Sequence, residues 1–486
     1  MRGLGPLCLA LFGAVYAEQD ILAGLASGGY VSNVTRPTYN ITRHPSYPNY
    51  QLRIVEPTIC DPSVQQYSGY LDIDEDKHLF FWFFEARHDP ENAPLMLWTN
   101  GGPGSSSISA GLLFEHGPCR VPAESNTTTR NAFSWNEKVN IIYIDQPVGT
   151  GFSYGRATTL TLADLAADID AFLQLWLRAF PQHAARALHL AGESWAGHYV
   201  PHIAHRVHTE NARGAPGRVR VPLASVTIAN GLTDPALQLA SNADYLCGGA
   251  PYPPFRPDDP RCARWRAETP LCVGLVHRCY AAPSNATCGA ATAYCWPLLE
   301  SDPLVATKKN PYDLRKECPK EYEESLCYPE VAAGAAFLNA TATKLALGVD
   351  PALDFKVTND AVNIAFYVNG QAVLNSAALL PPLVNSGVRL LVYAGDTDGV
   401  CNYMGIERWM SQLEHDFHAE FDRAPTLPWK TQAGEHVGNV RSAGTGAGNV
   451  TFVRMFEAGH MAPYDQPEAS LDMITRWVDN SPFFSG

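Results

Sequence analysis

Apolar residues follow two rhythms along this chain. In Tyr67–Ile73, Leu79–Phe84, Leu95–Thr99 and Ile141–Ile144 they run almost without interruption, the pattern of strands covered on both faces. From about Leu162 to Phe180 the spacing changes: Leu162, Leu165, Ile169, Phe172 and Trp176 recur every three or four residues, which predicts a helix with one apolar stripe. Strands are expected again at Ala187–Ala191, Val226–Asn230, Val388–Tyr393 and Phe452–Phe456, and a closing helix near Pro467–Val478. This alternation predicts an α/β fold: a central mixed, mostly parallel sheet with helices on both faces.

Between Asn230 and Val388 the alternation stops. That stretch holds eight cysteines and many prolines, is too long and apolar for a linker and shows no internal repeat, so it reads as an insertion stapled by disulfides. The expected layout is a signal segment at 1–17, an N-terminal segment at 18–65, a first part of the core at 66–234, a cap insertion at 235–387 and a second part of the core at 388–486. With 46% hydrophobic and 17% charged residues the chain can build a sizeable core and is not of disordered composition. The formal charge of −14 argues against a nucleic-acid partner, because neutralising phosphates takes clustered Lys and Arg.

The first residues change the picture of where the protein works. Arg2, an apolar run from Leu4 to Val15 and small residues ending at Ala17 form the pattern of a secretory signal, too short to span a membrane. Six sequons, at Asn33, Asn40, Asn126, Asn285, Asn339 and Asn449, fit passage through the secretory pathway. No later segment predicts a membrane span or lipid anchor, so the expectation is a soluble, secreted, extracellular protein, with a vacuolar location second. Twelve cysteines less Cys8 leave an odd number in an oxidising compartment, and one free thiol is expected. No Cys-X-X-Cys pair has partners at zinc spacing, so no metal or other cofactor is expected.

Candidate chemistry centres on Gly192-Glu193-Ser194-Trp195-Ala196-Gly197, between an expected strand and an expected helix. A nucleophile elbow needs small residues around its serine, because the sharp turn brings backbone segments together while lifting the hydroxyl out. Taken alone the motif suits an ordinary capping turn equally well. Gly395-Asp396-Thr397-Asp398 and Gly459-His460-Met461 then follow two further expected strands, in the serine, acid, histidine order that α/β-hydrolases use. Singly, Asp398 would be a turn former and His460 a loop histidine; jointly they suit a triad with Ser194. His198, four residues after Ser194, is a poor rival base, since it lies one helical turn along the same segment. Asn100-Gly101-Gly102-Pro103-Gly104 follows the strand ending at Thr99, and the Gly102 and Trp195 amides suit an oxyanion hole.

Five motifs together resemble the serine carboxypeptidases of the α/β-hydrolase fold, nearest to secreted fungal and yeast vacuolar members: Trp98 to Gly104, Asp145 to Tyr154, Gly192 to Tyr199, Asn230 to Pro235, and Gly459 to Pro463. The likeness runs from about Gln66 to Val478. It implies a triad of Ser194, Asp398 and His460, with the second Asp of Gly-Asp-X-Asp as the orienting acid. It also implies oxyanion donors at Gly102 and Trp195, and a terminal-carboxylate site of Asn100 and Glu193 supported by Trp98. Glu115 matches an acidic neighbour of Glu193, with one extra residue between Ser105 and Glu115. The resemblance further implies the bridges Cys247–Cys262, Cys272–Cys295, Cys279–Cys288 and Cys318–Cys327 and a free thiol at Cys401, leaving Cys60 and Cys119 as the expected fifth pair. Two departures stand out. Trp195 replaces a frequent Tyr, and Ser105 stands where many members have a cysteine, with no cysteine between Phe355 and Gln371 to pair with it.

The expected activity is serine-type removal of residues from peptide and protein C-termini through an acyl-enzyme, favoured at acidic pH. The same triad would serve an acyltransferase of the family, which Asn100 with Glu193 disfavours. A non-catalytic binding protein on this scaffold would have lost a triad member, and none is lost.

Overall fold

The structure, a computed structural model, describes residues 38–73, 76–156 and 161–484; the signal segment at 1–17 and the Asn33 sequon lie outside them. Among the described residues the main element is a 13-stranded sheet. Its principal strands are β1 (Asn40–His44), β2 (Tyr47–Val55), β3 (Gln66–Ile73), β4 (Lys77–Phe84), β5 (Leu95–Thr99), β6 (Asn140–Ile144), β7 (Leu188–Glu193), β8 (Leu223–Ala229), β9 (Arg389–Gly395), β10 (Leu427–Lys430), β11 (His436–Ala443) and β12 (Val450–Met455). They lie in the order β1-β2-β3-β4-β6-β5-β7-β8-β9-β12-β11-β10. The six in the middle, β6 through β12 in that order, are mutually parallel. Antiparallel strands flank them on both sides.

Alternation along each central strand divides the core in two. Phe81 and Phe83 join Leu95 and Leu97 in one cluster, whereas Phe80, Trp82 and Phe84 join Met96 and Trp98 in the other. Helix α1 (Leu162–Ala179), capped by the Thr161 side chain, turns Leu165, Ile169, Phe172 and Trp176 into the first cluster beside α2 (Ala196–Arg213). The helix Pro467–Val478 and the π-helical segment Ile108–His116 cover the opposite face. Burying each such large apolar side chain stabilises the fold by about 1.5–3 kcal/mol, so the sheet is secured from both sides.

The sheet begins before Gln66, where the core was expected to start, because β1 and β2 pair onto β3. The stretch between Ala229 and Arg389 contributes helices, among them α3 (Pro235–Asp244), α4 (Pro260–Ala281) and α5 (Asn285–Cys295). Cys247–Cys262, Cys272–Cys295, Cys279–Cys288 and Cys318–Cys327 are bonded within it, and Cys60–Cys119 ties the approach to β3 to the segment just past Glu115. Cys401 is a buried free thiol.

Candidate active site

The parallel strands deliver the candidate residues to one edge of the sheet. β7 ends at Glu193, and Ser194 follows at φ 66° before α2 begins. A non-glycine residue held in that region is strained, and the turn carries its side chain out of line with the strand. Only small neighbours allow it. A Cβ on Gly192 would lie 2.7 Å from the Thr99 carbonyl oxygen and 2.8 Å from the Ala196 Cβ, and one on Gly197 would lie 2.5 Å from the Leu232 oxygen. Ser194 is half-buried and lines a cavity together with Gly102, Trp195 and Cys401.

Asp398 follows β9 and His460 follows β12. His460 Nδ1 and Asp398 Oδ2 are 2.7 Å apart, both buried. Asp398 Oδ2 also accepts from Asn230 Nδ2 at 2.8 Å and the Cys401 amide at 3.2 Å, while Oδ1 accepts from the Val400 amide at 2.8 Å. These donors pin the carboxylate, which holds the Nδ1 proton and leaves Nε2 as the acceptor. His460 Nε2 is buried and has no partner among the described residues. Asp396 is engaged elsewhere, accepting from Arg454 Nη2 and the Glu457 amide. His198 Nδ1 lies 2.6 Å from Ser376 Oγ inside α2, and burial pushes its ring down to about 3, so it is a packed neutral histidine.

Ligand atoms of Asp398, Cys401 and His460 lie within 4.8 Å of one another, the one such grouping among the described residues. With four N–H groups already directed at Asp398, and Nδ1 of His460 among them, the set suits handling of a proton better than holding a cation.

The glycine loop lies directly against the elbow: a Cβ on Gly101 would sit 2.3 Å from the Trp195 nitrogen, and Gly102 itself has φ 105°. Neither the Gly102 nor the Trp195 amide has an acceptor among the described residues, as two donors aimed at a ligand oxygen require. The buried Asp145 carboxylate secures the loop by accepting from Ser106 Oγ at 2.7 Å and the Phe152 amide at 3.0 Å; burial raises it to about 6. Ser105 Oγ lies 2.9 Å from Thr358 Oγ1, so a hydroxyl pair joins the two segments that a family disulfide would join.

Asn100 bridges two buried carboxyls, donating from Nδ2 to Glu193 Oε1 at 3.2 Å and Glu115 Oε1 at 3.1 Å. Its amide is oriented by Trp98 Nε1 and the Gly111 amide, which donate to Oδ1 at 2.6 and 3.1 Å. The second oxygens, Oε2, are buried on both glutamates without another donor. Burial first, then repulsion from Glu115, pushes the Glu193 carboxyl well above the usual range, and burial raises Glu115. The two raised carboxyls face one another across the Asn100 amide. The extra residue before Glu115 is absorbed by π-helical winding over Ile108–His116, where the Leu112 amide reaches back five residues to Ser107.

Two contributors have no assigned role in the sequence reading: Asn230 and Asp145. Both stand inside recognisable motifs, but their side-chain partners come from distant segments. Glu300, which lines the cavity, follows an apolar turn and by pattern alone is a surface residue. Of the sequons, Asn40, Asn126 and Asn285 are exposed, whereas Asn339 and Asn449 are half-buried, Asn339 exchanging two hydrogen bonds with the Phe355 backbone.

The family model described as serine carboxypeptidase matches residues 57–480. The chain is 39% identical over 453 residues to carboxypeptidase Y of Schizosaccharomyces pombe, covering 90% of this chain and 44% of that protein. It therefore spans less than half the length of that relative. A vacuolar serine-type carboxypeptidase of Saccharomyces cerevisiae is 37% identical, with 90% and 83% covered, and a carboxypeptidase Y homolog of Arthroderma gypseum is 38% identical, with 88% and 78% covered. Among solved structures, a prohormone-processing carboxypeptidase of Saccharomyces cerevisiae superposes with TM-score 0.74 at 25% identity, covering 87% of this chain and 93% of that one.

Proposed function

This chain belongs to the serine carboxypeptidase family, and from that membership we propose that it releases C-terminal residues from peptides and proteins through an acyl-enzyme. Ser194 Oγ attacks the last peptide carbonyl carbon and gives its proton to His460 Nε2. Asp398 holds the imidazole in the required tautomer and stabilises its cation. The developing oxyanion takes the Gly102 and Trp195 amides. His460 then protonates the leaving amine, and water, deprotonated by the same ring, releases the acyl group and restores Ser194. No step calls on a cofactor.

The observation that carries this reading is the side chain of Asn100 set between Glu193 and Glu115. The Ser194–His460–Asp398 chemistry calls for no further carboxyls, whereas a substrate carboxylate can accept both the Asn100 N–H and a proton carried by Glu193. Recognition is then strongest in acid and weakens as Glu193 loses its proton. The disulfides, the exposed sequons and the signal pattern support an exported, extracellular protein, with a vacuolar location, as in one relative, the second reading. Among the described residues no helix is long and apolar enough to cross a membrane.

Ser194→Ala tests the reading. It is expected to lower turnover by about six orders of magnitude, since triad members act as a unit, and to abolish labelling by an active-site phosphonate while circular dichroism is unchanged. Turnover by the Ala variant near that of the wild type would refute it.

A further inference from the structure

The cavity on Ser194 has a direction. A substrate whose terminal carboxylate sits at Asn100 and Glu193 must point its last side chain toward those residues. The cavity is lined by Gly102, Ser194 and Trp195 but by none of Asn100, Glu115 or Glu193, so it receives the side chain on the acyl side of the cleaved bond. Its remaining lining includes Trp296 and Tyr367, whose rings meet edge to face at 4.8 Å, and the carboxyl of Glu300.

The side-chain amides in that lining are committed. Gln238 accepts from the Thr233 and Asp234 amides and donates to the Gly231 carbonyl oxygen. Asn402 accepts from Gly405 and Ser241 and donates to Asn242. Asn242 spends both its N–H groups on Leu299 and on Glu300 Oε2, the latter at 2.5 Å, and its own oxygen accepts from Asn402. The lining's one carboxyl, Glu300, is 6% exposed and keeps Oε1 free of any donor among the described residues, while the unpartnered Trp195 Nε1 is a donor with no call for a cation. No cation faces it. The titratable groups around it are Asp398, whose carboxyl is turned to His460, and Tyr367 and Cys401, both kept neutral by burial.

We propose that Glu300 is a specificity-determining residue that selects Lys or Arg at the penultimate position of the substrate. The side-chain stem would run along Trp296 and Tyr367, and the cation would meet Glu300 Oε1 and the aromatic faces. Burial raises the empty Glu300 carboxyl to about 8, so a proton and the substrate cation compete for it and selectivity climbs as the medium approaches neutral. This inference rests on the carboxypeptidase reading.

The experiment compares kcat/KM for blocked dipeptides ending in a common residue and carrying lysine, Nε-acetyl-lysine or norleucine at the penultimate position, from pH 5 to pH 8. The lysine substrate is expected to exceed both neutral analogues by about 10–100-fold near neutral pH, and the excess to shrink in acid. Glu300→Gln keeps the acceptor for Asn242 and is expected to remove the excess while leaving norleucine hydrolysis within about twofold of wild type. Equal rates for the three substrates, an excess that does not change with pH, or an excess retained by Glu300→Gln overturns the proposal; the first two need no variant. A wild-type enzyme that cleaves none of the substrates removes the carboxypeptidase reading itself, a different result from cleavage without selectivity.

Discussion

Asn230 sits at φ 39° just beyond β8, donates from Nδ2 to Asp398 Oδ2 and accepts the Gly395 amide on Oδ1. Few side chains other than Asn tolerate that backbone, and the amide serves two strands at once. Asn230→Ala is expected to leave the Asp398 carboxylate less well aimed, lowering kcat about tenfold with KM little changed. Asn230→Asp sets a carboxylate against Asp398 and is expected to cost more, and steady-state kinetics on one blocked dipeptide reads both. At this scale the candidate triad was legible because its members follow three strands in the order serine, acid, histidine. The role of Asn230 was not, since its sequence shows the motif but not the approach of Asp398, which lies 168 positions on. Glu300 was invisible for a related reason: what makes it unusual is its seclusion among Asn242, Trp296 and Tyr367, a property of the packed insertion.

Apolar runs located the central strands within a few residues, β5 and the helix Pro467–Val478 with the same bounds as expected. These are the segments buried on both faces, where the pattern is strongest. The outermost strands β1, β2, β10 and β11 escaped notice because edge strands alternate and mix polar residues in, as in Tyr47–Val55, whose burial rises and falls along its length. The insertion was legible as a disulfide-rich block, but its helices were not, since cysteines and prolines interrupt the helical period in α4 and α5. The π-helical winding before Glu115 had no signal beyond one surplus residue. Cys60–Cys119 closes a loop with a sequence separation of 59 and leads directly into that winding. Replacing both cysteines with Ser is expected to cost about 4 kcal/mol of stability on the chain-entropy scale and to weaken recognition of free acids more than of amides, because Glu115 loses its anchor. Thermal unfolding and the acid-to-amide rate ratio check the two halves.

Titration behaviour of the whole molecule follows from groups buried in forms they would not keep in water. Glu300, raised from 4.5 to about 8, and Glu193, raised well above its ordinary value, bind more protons folded than unfolded as pH climbs from 4.5 toward 8, so their contribution to stability falls across that window. His189 and His198, lowered from 6.5 to about 3 by burial, act oppositely: the unfolded chain binds the extra protons, and stability falls as pH drops from 6.5 toward 3. Thermal midpoints are therefore expected to be nearly level from about pH 4.5 to 6.5, where the two pairs oppose each other, and to decline on both sides, and Glu300→Gln to flatten the alkaline limb. A variant that flattens the acid limb instead would contradict the assignment. For activity the decisive group is Glu193, because in the proposed reading it is the proton on Glu193 that a free substrate carboxylate accepts. The most direct measurement is kcat/KM from pH 4.5 to 8 for one blocked peptide as the free acid and as its amide. The predicted result is an acid-to-amide ratio that falls steeply as pH rises and becomes nearly constant in Glu193→Gln; a wild-type ratio that stays level across the whole range would contradict the account.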